Sequence, residues 1–477
     1  MSRNKINRRN FLKAGGASAL LGGMPLGLNT VGQAQDGGEK KFCFVIAAAG
    51  GASILDSFMA QSTGPTAFET LTQIPGSPLV AVPALENSIQ GAIDLGNGYE
   101  QATFLNKHGA DTLAMTNEVT SVNHIIAAKR AITGDNVNSG RTICEANAIA
   151  HGGSCILPNL GLGVGGYALH GDDDTIPAIA RAEPITDPLM FAFATHGFKG
   201  IKGSLDDKDI AAARALRTQL ESVSGFAKEF EASKIMDVYM KNRDSLVSQL
   251  EKGDSIGKLM LLDPATADLS AFGTSMTGDM QQVIAKFPNI AKDPYEAKMA
   301  LSFLAAKNGM SNSFTISPNL APLIEATGSP NTPIAFDWSH VDHRGAQNAM
   351  WSYVLKSVDA LIDLLKETDI DGDPQKGKMW SKSMIYIATE FGRDKIADGG
   401  SGHHLNNGNV IISPMMQGNK VFGGVDTTTG FTYGFNAETG EPDQNSKMTE
   451  KDVYSAVAHG LGIAFDGRKD KPAMVKG

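Results

Sequence analysis

"KKFCFVIAAAGGASILDSF", residues 40–58, decides the fold. Residues 42–49 are apolar without a break, and Gly50 and Gly51 end the run. A strand with one wet face alternates apolar and polar side chains. An unbroken apolar run instead marks a strand covered on both faces, the usual state of a parallel sheet. The two glycines make the turn at its C-terminal end, and Ser53 and Asp56 fall in that turn. In open α/β sheets, ligands bind just beyond such strand ends.

The same pattern returns downstream. "SNSFTISP" (311–318), "KSMIYIATEFGR" (382–393) and "GNVIISPMM" (408–416) read as further buried strands. Helices stand between them. "NHIIAAKRAITG" (123–134) is a short helix stopped at Gly134. "NAMWSYVLKSVDALIDLLKET" (348–368) puts Met350, Val354, Leu361, Leu364 and Leu365 on one helical face. "TEKDVYSAVAHGLGI" (449–463) closes the chain as a helix capped by Thr449. Residues 205–258 are rich in helix formers with few breakers, and read as a helical insertion. Alternating strands and helices predict a mostly parallel sheet with helices on both faces.

The N-terminus reads as a leader over residues 1–34, with the mature α/β domain at 35–477. "NKINRRNFLKAGGASALLGG" has the pair Arg8 and Arg9, then Phe11, Leu12 and Lys13, then a mild apolar run. "VGQA" puts small residues, Gly32 and Ala34, where a signal peptidase cuts. This is a signal peptide of the twin-arginine type, too short to span a bilayer. It predicts export by the twin-arginine machinery to the periplasm or exterior, a route used by proteins that acquire a metal or cofactor in the cytoplasm. No later segment reaches the roughly 20 apolar residues of a membrane span. The net charge of −9, without a basic-aromatic stripe, argues against a nucleic-acid partner. Three cysteines do not make a disulfide scaffold, and no CxxC suggests structural zinc. Cys144 and Cys155 are close enough in sequence to pair after export, while Cys43 lies in the first strand.

Three loops share one design, in which a buried strand runs into acids and histidines. They are Asp56 after the first strand, "IAFDWSHVDHRGAQN" (334–348) with Asp337, His340, Asp342 and His343, and "TEFGRDKIADGGSGHHLNNG" (389–408) with Glu390, Arg393, His403 and His404. Loops after parallel strands converge on one sheet edge. Mixed carboxylates and imidazoles suit a divalent metal such as zinc or manganese. Each residue also has a plainer role open to it. Asp56 can cap the next helix, Asp342 can orient a neighbouring histidine, and Arg393 can pair with Glu390 without a metal. "GLGVGGYALHG" (161–171) is an ordinary glycine-rich loop, since no clear helix opens from it. "DIDGDPQKG" (369–377) lacks the calcium-loop spacing and reads as a solvated turn.

Several of these segments together resemble an exported bacterial family, domain of unknown function 1501. "GGASILDSF" resembles its "GG-x-S-H-x-D-T-F-D" opening, "FDWSHVDHRGAQN" its "D-T-H-G-N-Q" segment, "ATEFGRD" its "E-F-G-R-T-P" strand end and "GSGHHLNNG" its "G-R-D-H-W" loop. The resemblance runs in order over nearly the whole mature chain. That family is similar to the alkaline phosphatase and sulfatase superfamily, which implies a three-layer α/β/α sandwich with metal ligands at the strand ends. Carried over, Asp56 is the acid after the first strand. Asp337 or Asp342, with His340 and His343, match the Asp/His pair. Glu390 is the late acid, and His404 the last histidine. Ile54 and Met59 depart from the family opening. "HIIAAKRAITG" resembles the helix that carries the nucleophile in sulfatases, with His124 at the nucleophile's place and Ser121 or Thr120 one turn earlier as a substitute. The resemblance implies a metal-dependent hydrolase of phosphate or sulfate esters, with Arg393 stabilising transition-state charge. Its substrate would be a small molecule or an envelope polymer. The other reading is a non-catalytic cell-envelope binding protein that keeps the fold without a competent nucleophile.

Overall fold

The computed structural model describes residues 39–59, 71–83, 99–192, 259–261, 277–318, 335–394, 399–426 and 428–476, with scattered positions between 212 and 225. The expected leader lies outside the described residues, as does most of the expected insertion at 205–258.

The strands that matter here are β1 (Phe42–Ala47), β2 (Thr112–Glu118), β3 (Asn159–Leu162), β4 (Glu183–Pro184), β5 (Ser313–Ile316) and β6 (Ser383–Ala388), then the short β7 (Gly392–Arg393) and β8 (His403–His404), then β9 (Asn406–Ile412) and β10 (Lys420–Phe422). Eight of them form one sheet in the order β10-β2-β9-β6-β1-β5-β3-β4, while β7 and β8 make a separate ribbon. β9 runs antiparallel to both its neighbours, and every other pairing in the large sheet is parallel. β1 sits between β5 and β6, with Phe44 opposite Phe314 on one side and Ile385 on the other. A strand in that position has no wet edge or face, which is why its sequence is apolar throughout.

Among the described residues, seven helices cover the sheet: α1 (Gln101–His108), α2 (His124–Thr133), α3 (Ile143–His151), α4 (Gly278–Lys286), α5 (Pro294–Lys307), α6 (His343–Glu367) and α7 (Glu450–Leu461). The two-residue period of β1 sorts them into layers. Phe42, Phe44 and Ile46 share a core with Phe104 of α1, Val283 of α4, Leu301 of α5 and Trp351 of α6. Cys43, Val45 and Ala47 share another with Ile132 of α2, Cys144 of α3 and Val457 of α7. Each large apolar side chain so buried contributes about 1.5–3 kcal/mol. The result is the three-layer α/β/α sandwich with a mostly parallel sheet.

Local signals place the helix ends. Gly134 adopts the left-handed conformation at φ 62° and stops α2. The Asp452 carboxylate accepts the Thr449 N–H at 3.0 Å at the start of α7. Asp342 caps α6, its Oδ1 accepting the Gly345 N–H at 3.0 Å. The cysteines differ from the expected arrangement. All three are buried and in no disulfide, and Cys144 faces Cys43 across the α3–β1 contact rather than bonding to Cys155. Residues 369–377 form ion-paired turns, with Asp371 bound to Lys40 and Lys376. Among the described residues, no helix is long and apolar enough to cross a membrane.

Topology then positions the site. The C-terminal ends of β1, β2 and β6 lie on one edge because the strands are parallel. β9 is reversed, so its N-terminal end, with β8 just before it, meets the same edge. Gly51 holds the turn after β1 at φ 83°. A Cβ there would stand 2.5 Å from the Phe391 ring and 3.0 Å from Arg393 Nε.

Candidate functional site

His124 is the first residue of α2, behind the cap residue Asn123, whose Oδ1 accepts the Ile126 N–H. Its Nδ1 lies 2.5 Å from Oε1 of Glu390 at the end of β6. The same oxygen accepts the Gly50 N–H at 3.0 Å. Oε1 is therefore an acceptor and His124 Nδ1–H is the donor, which in the neutral ring leaves a lone pair on Nε2. Glu390 is buried and His124 is half exposed. Burial pushes the Glu390 carboxyl above the usual carboxylate range, although the imidazole opposes this. The hydrogen bond that His124 donates to Glu390 raises the His124 pKa, against the effect of burial.

Asp337 and His340 come from the single 3₁₀ stretch Ala335–His340 that leads into α6. His403 comes from β8. The register of that ribbon sets His403 opposite Arg393 and His404 opposite Gly392. Neighbouring residues of a strand point to opposite faces, so only His403 joins Arg393 on the site side. His403 Nε2 lies 2.8 Å from His340 Nε2, and His340 Nε2 lies 3.4 Å from Asp337 Oδ1. His124 Nε2 is 3.7 Å from the same Asp337 oxygen. His403 also stacks on Phe391, with ring centroids 4.0 Å apart.

Arg393 holds these pieces together from beneath. Its side chain is fully buried. Nε donates to Gly51 O at 3.3 Å, Nη1 to Ser401 O at 3.1 Å and Nη2 to Gly50 O and to Asp337 Oδ1, the last at 2.9 Å. Nη1 also lies 3.2 Å from His340 Nε2, which must accept from it. Burial and the Arg393 charge lower the His340 pKa. The same two causes, with His124 adding to them, push His403 down to about 4.

The donor set suits a divalent cation. His403 Nδ1 faces Val122 O at 3.0 Å and so carries the proton, which leaves Nε2 as an acceptor. His340 Nε2, which accepts from Arg393 Nη1, lies 2.8 Å from His403 Nε2 beside a carboxylate, so a cation held there would take the place of that hydrogen bond. One atom each from His124, Asp337, His340 and His403 lies within 4.8 Å of all the others. A surplus of acceptors of this kind calls for positive charge, and imidazole with carboxylate is the ligand chemistry of zinc or manganese. The ring orientation follows the usual pattern, in which the far nitrogen of a liganding histidine donates to a carbonyl or carboxylate. A second grouping, His108 with Asp359 and Asp363, is different. Lys107 pairs with both acids and Lys286 with Asp363, which supplies its positive charge from within the protein.

The structure divides the expected site residues. Asp337, His340 and Arg393 meet in the cluster, with Glu390 behind His124. Asp56 and His343 form a separate, fully buried pair, Oδ2 to Nε2 3.3 Å. Ser53 Oγ donates to Asp56 Oδ2 at 2.7 Å, and His343 Nδ1 lies 2.8 Å from Ser401 Oγ. Asp56 Oδ1 is buried with no hydrogen-bond partner among the described residues. His404 points away, its Nδ1 accepting the Asn406 N–H at 3.1 Å. Ser121 Oγ accepts the Asn123 N–H at 3.1 Å within its own turn. Thr120 Oγ1 bonds Glu450 and Arg130. Two members of the cluster, His124 and His403, were not on the expected list of ligands. The resemblance placed His124 where a nucleophile stands, and the Gly/Ser-rich stretch before His403 carries no periodicity to tell it from His404.

No protein-family model and no curated protein matches this chain. Solved structures similar to it at low levels include three hydrolases. One is a candidate sulfatase from Bacteroides thetaiotaomicron, with 9% identity over 90% of this chain and 72% of the other, and a TM-score of 0.32. Another is a phosphonate monoester hydrolase from Silicibacter pomeroyi, with 11% identity over 91% and 76% and a TM-score of 0.31. The third is a 2-O GAG sulfatase, with 10% identity over 90% and 72% and a TM-score of 0.29. At that level of likeness none of them assigns a residue of this chain.

Proposed function

We propose that this chain is an exported, metal-dependent hydrolase of phosphate or sulfate esters. The observation that carries the reading is the meeting of three imidazoles and a carboxylate beside a buried arginine, at the sheet edge where α/β proteins bind ligands. Asp337, His340 and His403 would hold a divalent ion, three protein ligands with a position left open, as in catalytic rather than structural sites. Such an ion, when bound, polarises the ester oxygen and lowers the pKa of a coordinated water.

The chain's own residues do the rest. Arg393 is anchored by three backbone carbonyls, with its remaining N–H groups on His340 and Asp337, and keeps a fixed positive charge beneath the cluster, where it attracts an anion through space. Glu390 fixes the tautomer of His124. Large apolar side chains stand exposed on residues next to the site histidines, namely Val122, Ile125, Ile126 and Val341. They favour an ester whose alcohol portion is apolar. Export by the twin-arginine route, and an envelope or small-molecule ester as substrate, belong to the same proposal.

The test is metal analysis of purified protein followed by assay on p-nitrophenyl phosphate and p-nitrophenyl sulfate. About one or two equivalents of zinc or manganese, with turnover lost on chelation and in Glu390→Gln, supports the hydrolase. Metal-free protein that stays inert after zinc or manganese is added favours the second reading, a non-catalytic envelope-binding protein. The engagement of Ser121 and Thr120 elsewhere is the observation on that side.

A further inference from the structure

We infer that His124 is the covalent nucleophile of this site, taking the phosphoryl group of a phosphate ester on Nε2. The inference rests on the hydrolase reading and narrows it to phosphoryl transfer. Three observations carry it. First, the hydroxyl groups next to α2 are committed elsewhere, Ser121 to the Asn123 N–H and Thr120 to Glu450 and Arg130. Second, His124 has the build of an activated nucleophile, one nitrogen bound to an orienting acid and the other free to react. The Nδ1–H points at a carboxylate oxygen 2.5 Å away that a backbone N–H also holds, and that carboxylate is buried. The ring is thereby locked with its Nε2 lone pair turned to the cluster. Third, Nε2 lies 3.7 Å from Asp337 Oδ1, the atom that Arg393 Nη2 grips at 2.9 Å. The anion-attracting charge and the attacking nitrogen therefore serve the same space.

The chemistry balances with water alone. The Nε2 pair forms a bond to phosphorus, and the P–O bond to the alcohol breaks with its pair on the departing oxygen. That alkoxide takes a proton from water and leaves hydroxide. The new N-phosphoryl imidazolium keeps its Nδ1–H against Glu390, whose negative charge stabilises it. Hydroxide then attacks phosphorus, the P–N bond breaks, and its pair returns to Nε2. One ester and one water become one alcohol and one phosphate. Glu390 touches no reacting atom and acts as a positioning residue.

Zinc-loaded wild type, mixed with ³²P-labelled p-nitrophenyl phosphate and quenched in alkali, tests this. The expected result is an acid-labile, alkali-stable label on the peptide that begins at α2, with a gain of one phosphoryl mass on His124. His124→Asn should lose the label and at least about a hundredfold in turnover while keeping the zinc content of wild type. His124→Gly should recover turnover with added imidazole, which a structural role would not allow. Glu390→Gln should slow formation of the label. A label that is stable to acid, or lies on Ser121, overturns the inference but leaves the hydrolase standing. So does wild-type turnover with no label at any time, which would mean direct attack by water. Loss of zinc in His124→Asn makes His124 a ligand and also overturns it. No turnover by zinc- or manganese-loaded wild type overturns both readings.

Discussion

Replacing Arg393 with Met tests the site most directly, because it moves two affinities in opposite directions. Met keeps the buried stem and removes the charge. Three backbone carbonyls, those of Gly50, Gly51 and Ser401, lose a donor. Each costs about 1 kcal/mol. The ion pair with Asp337 adds about 1–2 kcal/mol, toward the lower end for a broken buried pair, since that carboxylate is a quarter exposed and can rehydrate. The expected loss is about 4–5 kcal/mol in urea unfolding of the metal-free protein, or roughly 4–5 °C in Tm for a domain of this size. Cation binding should move the other way. A unit charge about 5 Å from the guanidinium at an effective dielectric of about 20 feels about 3 kcal/mol of repulsion, a factor of about 100 in Kd. With screening in a half-open cluster, zinc affinity should rise about tenfold or more. Inorganic phosphate affinity should fall by a similar factor. Titration calorimetry with zinc, then with phosphate on the zinc-loaded protein, reads both. If zinc affinity is unchanged or falls together with phosphate affinity, Arg393 does not share the cluster's electrostatics and the reasoning fails.

The two adjacent histidines should separate cleanly. His403→Ala should weaken zinc binding by more than about a hundredfold, and His404→Ala should leave it within about threefold, as measured by competition with a chromophoric chelator. Equal losses in both would mean that the β7–β8 register is wrong. The metal-free protein should lose stability as pH falls from about 6.5 to 4. His403 has a folded-state pKa of about 4, so the unfolded chain takes up its proton first, and His403→Gln should flatten the slope of urea midpoint against pH in that window. Gly392→Ala places a Cβ 1.9 Å from Asn406 O, a backbone atom that cannot move aside cheaply. It should cost at least about 2–3 kcal/mol and also lower zinc affinity by shifting Arg393 and His403; a melting temperature equal to wild type would refute the contact. Ile125→Ser with Ile126→Ser should raise KM for an octyl phosphate more than for methyl phosphate, and an equal effect on both would remove the apolar rim from substrate choice.

Much of the architecture is legible in the sequence. The run 42–49 announced a strand buried on both faces, and β1 is flanked by parallel strands and covered by two helix layers. The strands at 313–316 and 383–388 and the helices at 124–133 and 450–461 fall where apolar pattern and capping residues placed them, while β9 begins and ends ahead of the expected 408–416 and α6 begins at His343, five residues before the expected 348. Asp337, Glu390 and Arg393 stood out because charged residues that end apolar strands, or crowd with histidines, need partners. The division of the candidates into two groups was not legible. Asp56 and His343 carry the same chemistry as Asp337 and His340, and nothing local says that they pair with each other in a buried pocket.

The sequence alone determined which strand ends would carry acids and imidazoles, because burial on both faces and turn glycines are local properties written in consecutive residues. It did not determine which of those side chains meet. That depended on β9 running against its neighbours, which brings the His403–His404 stretch to the edge where β1, β2 and β6 end. It depended also on backbone pairing of His403 with Arg393, a contact between loops. A slip of one residue in that pairing would turn His404 inward instead, because strand side chains alternate faces. Only hydrogen bonds between distant segments fix that choice, so only the tertiary structure could decide it.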